Sequence, residues 1–151
     1  MSKPTIHATC LVIGEHGVLL RGPSGAGKSR LALHFIETAA AKGRFVRLVG
    51  DDRIRLVPER GRLIAYVPDA IAGLIERRSS RSRELGIEKI DYLPSAPVAL
   101  VVDIFSDAEF FSGPPREARH TTLEGIDLAY LAVPRDFTYA VARIEAILPL
   151  L

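Results

Sequence analysis

A single cysteine, Cys10, is all the thiol chemistry this chain carries, so no intrachain disulfide can form. It sits in the apolar stretch Cys10-Leu11-Val12-Ile13, which reads as a packed thiol in a reducing compartment rather than a reactive or metal-binding one. A surplus of one charge is also missing. Twenty Lys and Arg against 18 Asp and Glu leave a net +2, too little for a general nucleic-acid or membrane-surface role. Nowhere do about eighteen apolar residues run together, and Glu15 and His16 interrupt the apolar stretch near the start, so neither a membrane span nor a secretory leader is expected. There is no internal repeat, no heptad pattern, no zinc-ligand spacing and no Asn-Lys-x-Asp guanine-reading motif. What remains, 151 residues at 48% hydrophobic and 25% charged, is the composition of one globular domain with a proper core, soluble and cytoplasmic.

Against that background one stretch carries most of the chemical information. Gly22-Pro23-Ser24-Gly25-Ala26-Gly27-Lys28-Ser29 reads G-x-x-x-x-G-K-S, the loop whose backbone cradles a polyphosphate. Its flanks suit the motif. Val18 to Arg21 is a short apolar strand, and from Ser29 to Lys42 the residues Leu31, Ala32, Phe35, Ile36, Ala39 and Ala40 recur on one helical face, with Gly43 as a stop. The helix N-terminus would aim free N–H groups at the phosphates, Lys28 would meet the β- and γ-phosphates, and the Ser29 hydroxyl would join a Mg²⁺ shell.

The rest of the chain is read around that loop. Ile6 to Ile13 and Val18 to Arg21 flank Gly14-Glu15-His16-Gly17 and predict a hairpin, which sets the first strand beside the nucleotide. His7 near its start reads alone as a structural histidine, and His16 and His34 as exposed ones. Phe45 to Val49 is the next strand and ends in Gly50-Asp51-Asp52. A strand–helix–strand crossover returns parallel strand ends to one side, so these carboxylates belong near the loop, Asp51 for the metal and Asp52 as proton acceptor. An Asp-Asp turn at a strand end is the bland alternative. Arg53 to Val57 and Leu63 to Val67 predict a second hairpin, and Ala70 to Ile75 a short helical turn or strand. The stretch Glu76 to Glu84, with four arginines and three serines, reads as a mobile loop, either merely solvated or a flap that offers guanidinium groups to an anion. Val98 to Ile104 predicts the central buried strand, residues 106–122 irregular surface chain, Ile126 to Val133 a last strand, and Thr138 to Leu148 a closing helix with Val141, Ile144, Ala146 and Leu148 on its apolar face.

Ile6-His7-Ala8-Thr9, the glycine-containing hairpin, the phosphate loop, Val49-Gly50-Asp51-Asp52, Gly73-Leu74-Ile75-Glu76 and Leu85-Gly86-Ile87 together resemble the bacterial HPr kinase/phosphorylase family. The resemblance covers roughly the first hundred residues and is similar to the catalytic domain alone. It implies an α/β P-loop kinase fold of the HPr kinase and phosphoenolpyruvate carboxykinase type, a mixed sheet with flanking helices. It also implies phosphoryl transfer from ATP to a serine of an HPr-like phosphocarrier of the phosphotransferase system, with ATP and Mg²⁺ as cofactors. By resemblance His7, Lys28, Asp52 and Arg116, with Arg119 as second choice for the arginine, match catalytic positions, and Ser29 and Glu76 match metal ligands beside Asp51. It implies a homo-oligomer, hexameric in the family. Three departures stand out. Arg30 replaces an acidic residue after Lys28-Ser29, the loop 77–84 is longer, and Val133-Pro134-Arg135-Asp136-Phe137 replaces the segment that serves reverse phosphorolysis. A non-catalytic ATP sensor and a small-metabolite kinase are the competing readings.

Overall fold

The computed structural model describes residues 4–78, 85–114 and 116–151. Its first hairpin pairs β1 (Ala8–Ile13) with β2 (His16–Arg21) across a two-residue turn, Gly14-Glu15. Gly14 adopts φ +66°, a left-handed conformation that glycine takes without a Cβ penalty. Apolar residues on both faces of β1 and β2 mark them as interior strands, and all six residues of β1 are buried. Helix α1 (Lys28–Thr38) follows the glycine-rich loop, and β3 (Val46–Gly50) follows α1.

The main sheet runs β3-β1-β2-β8-β10-β9. Here β8 is Ser95–Phe105, β9 Arg119–Leu123 and β10 Ile126–Pro134. Strand β1 is antiparallel to both β2 and β3, whereas β2, β8 and β10 are mutually parallel. The crossover through α1 therefore steps over β1 and leaves β3 parallel to β2. All four parallel strands end at one edge, and β1 begins there. Ligand sites in open α/β sheets lie outside such strand ends.

Two layers cover the sheet. On one face α1 and α3 (Phe137–Ile147) pack Leu31, Ala32, Phe35, Ala140, Ile144 and Ile147 onto Leu11, Leu20, Val102 and Val133. On the other, the hairpin β4 (Arg55–Glu59) and β5 (Arg62–Tyr66) brings Leu56, Leu63 and Ala65 over Cys10, Leu19, Val49 and Val101. Strand β5 pairs with the first residues of β8, which is why β8 can serve both sheets. A second small sheet joins β6 (Leu74–Arg78) to β7 (Leu85–Lys89). No helix among the described residues is long and apolar enough to cross a membrane.

Several expectations need correction. Helix α1 stops at Thr38 rather than Lys42, leaving Ala40 exposed, because Gly43 N–H and Arg44 N–H turn back onto the carbonyls of Ala40 and Ala39. Glu76, Arg77 and Arg78 lie in strand β6, not in a loop, and the remainder of the arginine-serine stretch, 79–84, lies outside the described residues. Within 106–122, α2 (Asp107–Phe111) is capped by Ser106, whose hydroxyl accepts from Glu109 N–H, and β9 pairs with β10. In α3 the buried position is Ile147, while Ala146 is exposed.

Candidate active site

The site is assembled at the common edge of the parallel strands. Strand β2 ends at Arg21 and hands the chain to the loop Gly22–Ser29, where Gly25 and Gly27 adopt φ +80° and +101°. These turns need glycine and bring backbone N–H groups to the start of α1, whose first turn has no intrahelical acceptors for them. Lys28 is 5% exposed and its ammonium donates to the carbonyls of Gly22 (2.7 Å) and Pro23 (3.1 Å). Burial pulls the Lys28 pKa below the ordinary lysine value, opposed by the charges of Asp52, Asp51 and Glu76.

Strand β3 delivers the two aspartates, and a bulge at Val49, between the pairs Cys10–Gly50 and Leu11–Leu48, sets their direction. Asp51 is buried and accepts hydrogen bonds on both oxygens. It accepts from the Thr9 hydroxyl (2.7 Å), from the Ser29 hydroxyl (2.8 Å to each oxygen) and from the Glu76 backbone N–H (2.9 Å). Four elements, β1, α1, β3 and β6, thus converge on one carboxylate. Asp52, next along, has φ +68°, a left-handed position that few non-glycine residues occupy and that concentrates at functional sites. Its backbone N–H donates to Thr9 Oγ1 (3.1 Å), its carboxylate pairs with His7 and stands 4.0 Å from Lys28 Nζ, and it is about half exposed.

Of these groups Lys28, Ser29, Asp52 and Glu76 line a cleft of about 780 Å³, within the range of small-molecule sites. Its lining includes Ser24 to Ser29, Asp52 and Glu76 on one side, and Pro134, Arg135 and Phe137 at the β10–α3 junction. The chemistry of the donor set fits Mg²⁺. Asp51, Ser29 and Glu76 offer hard oxygens in the small number that ion takes from protein when phosphate and water complete its shell.

Arg116 is the expected site residue that does not join this group. Its guanidinium lies 4.7 Å over the Phe105 ring and donates to the Glu109 carbonyl (3.3 Å), at the same sheet edge but outside the cleft lining. Arg119 packs over Tyr130. Asp103 binds Arg21 through two bonds (2.7 and 2.9 Å) and accepts from Tyr130 (2.9 Å), a network on the opposite face that ties β2, β8 and β10 together just below the loop. Thr9, which holds both aspartates, was not singled out from sequence; its place near the start of the first strand, two residues after His7, is the signal that could have found it. His34, expected to be merely exposed, is half-buried and lines the cleft.

The model of the HPr serine kinase C-terminal domain matches residues 1–93. The chain belongs to that family. It is 29% identical over 130 residues, 85% of its length, to an HPr kinase/phosphorylase of Peptoclostridium acidaminophilum, and 34% identical over 107 residues, 65% of its length, to one of Mycoplasma mycoides. It spans only 38% and 30% of those relatives. The solved Hpr(Ser) kinase/phosphatase of Coxiella burnetii superposes with a TM-score of 0.70 at 25% identity, covering 96% of this chain and 97% of that one. The α/β fold with its mixed sheet and flanking helices is therefore that of the HPr kinase C-terminal domain, and the family match ends at residue 93, just before β8.

Proposed function

We propose that this domain is an ATP-dependent serine kinase whose acceptor is an HPr-like phosphocarrier protein. The observation that carries the reading is Asp52, held in a left-handed turn at the mouth of the cleft with His7 on its carboxylate and Lys28 4.0 Å away. Such a carboxylate can take the proton of a serine hydroxyl as it attacks the γ-phosphorus of ATP, while the bond to the β-phosphate oxygen breaks. His7 orients Asp52. The Lys28 ammonium is pre-positioned by the Gly22 and Pro23 carbonyls to neutralise charge that grows on the transferred phosphoryl group. The turn at Gly25 and Gly27 and the first N–H groups of α1 hold the β-phosphate. Asp51, Ser29 and Glu76 are the residues that would hold Mg²⁺, which when bound supplies charge neutralisation across the β- and γ-phosphates. The half-exposed position of Asp52 suits an acceptor that arrives on another protein, since a small metabolite would need a closed pocket for its orientation.

The sequence around Pro134 and Arg135, which departs from the family's phosphorolytic segment, leads us to leave the reverse reaction out of the assignment. Assembly into a homo-oligomer and a cytoplasmic setting belong to the same proposal. The test is transfer from γ-labelled ATP to an HPr-type carrier. We expect label on serine, loss on chelation of Mg²⁺, and a fall of at least about a thousandfold in Asp52→Asn, whose side chain cannot accept the proton. Label appearing in low-molecular-weight material, or an Asp52→Asn variant that behaves as the parent, would overturn the reading.

A further inference from the structure

The cleft extends well past Lys28 and Ser29, and its far wall combines cationic, apolar and aromatic side chains. Beyond Ser29 the lining follows one stripe of α1, through Arg30, Leu33, His34 and Glu37, the spacing of a single helix face. Facing it is the first turn of α3, with Phe137 and Ala140. The Arg30 guanidinium lies over the Phe137 ring, 4.0 Å from its centroid. The His34 ring meets Phe137 edge-on, with centroids 5.3 Å apart and planes at 85°. Among the described residues Arg30 has this aromatic ring and no carboxylate as its partner.

A guanidinium laid on a phenyl ring makes a planar, weakly hydrated surface of the kind that stacks on heteroaromatic rings. Leu33 and Ala140 add apolar flanks, so the wall suits the flat face of a base. Position along the helix agrees. His34 lies six residues beyond Lys28, about 9 Å further along the α1 axis, which leaves the ribose and α-phosphate to span the interval. We propose that Arg30, His34 and Phe137 form the nucleobase subsite of this cleft, stacking the purine of the nucleoside triphosphate. The proposal rests on reading Gly22 to Ser29 as the triphosphate seat and adds what lies at the other end of the ligand. It also gives Arg30, which stands where the family has an acid, a reason to be a cation with a planar head.

The experiment compares two ligands that share the polyphosphate and differ in the base. Titration calorimetry with Mg²⁺ measures ATP and inorganic tripolyphosphate binding to the parent, to Phe137→Leu, which keeps an apolar side chain against the core, and to Phe137→Tyr, which keeps the ring. We expect Phe137→Leu, which removes the ring that holds the Arg30 guanidinium flat, to weaken ATP severalfold, with tripolyphosphate unchanged and Phe137→Tyr close to the parent. Equal weakening of both ligands would mean that Phe137 only supports the fold, and unchanged ATP binding would place the base elsewhere. Either result overturns the subsite while leaving the kinase reading intact. A parent protein that binds neither ligand would overturn both.

Discussion

At the scale of single residues, the decisive arrangement is the pair of bonds at Thr9. One hydroxyl donates to Asp51 and accepts the backbone N–H of Asp52, so the direction of one carboxylate and the left-handed turn of the other are set together. Thr9→Val keeps the shape and removes both bonds. We expect turnover roughly ten- to a hundredfold lower and a higher Mg²⁺ concentration at half-maximal rate, since a buried carboxylate loses about 1–3 kcal/mol of hydrogen bonding. Thr9→Ser should restore both; a Mg²⁺ dependence that does not move would show that Thr9 has no hold on the aspartates. Cys10 supplies a second prediction. Burial pushes its thiol from 9.0 up to about 12. A raised pKa in the folded state favours folding fully below pH 9.0, and that contribution is lost as pH rises towards 12, because the unfolded chain releases a proton the native one keeps. Stability should therefore fall through that window, by up to about tenfold in the folding constant per pH unit, and Cys10→Ala should flatten the slope in pH-dependent urea melts. The place of Lys28, Ser29 and Asp52 beside one another was legible from residue type and spacing. That of Thr9 was not, because a threonine in a strand carries no motif and gains its role only from what lies 42 and 43 residues away.

At the scale of elements, the β6–β7 hairpin stands off the main sheet yet forms part of the cleft. Its Glu76 N–H holds Asp51, and Arg77 bridges Glu88 within the hairpin and Glu37 on α1 (3.0 Å). All three charged side chains are about half exposed, so each pair is worth on the order of 0.2–1 kcal/mol. That is enough to bias a hairpin whose buried anchor in the main core is Ile75. Arg77→Ala should speed amide hydrogen exchange in β6 and β7 severalfold while leaving β8 unchanged; uniform exchange across the chain would contradict the idea of a separately anchored element. The hairpin was misread in part from sequence. A run of arginine and serine has no apolar periodicity, and the β6 pairing that orders its first residues is set by β7, across the stretch outside the described residues. The existence of α1 and α3 and the body of strand β8 were legible, because their apolar periods run over several turns or residues, whereas the end of α1 and the short helix α2 were not.

At the scale of the whole molecule, the site depends on how β2 and β8 lie together, since β2 delivers the loop and β8 carries both sheets. Gly17 is the point of closest approach. A Cβ there would stand 2.0 Å from the Pro97 carbonyl oxygen, and backbone cannot yield to it. Gly17→Ala should cost roughly 3 kcal/mol or more, read as a lower urea midpoint, with loss of nucleotide binding as the loop shifts with its strand. Full stability in that variant would contradict the packing described. Sequence by itself determined the glycine-rich loop between β2 and α1, the acids that follow β3, the class of fold and the family, because each rests on local spacing and local periodicity. Tertiary structure alone decided that β1 lies between β2 and β3, bringing His7 and Thr9 to the aspartates, that Arg116 rests on Phe105 outside the cleft, and that Arg30 meets Phe137. Those contacts join residues far apart in the chain, and their energies are set by strand order and helix packing, which no local pattern records.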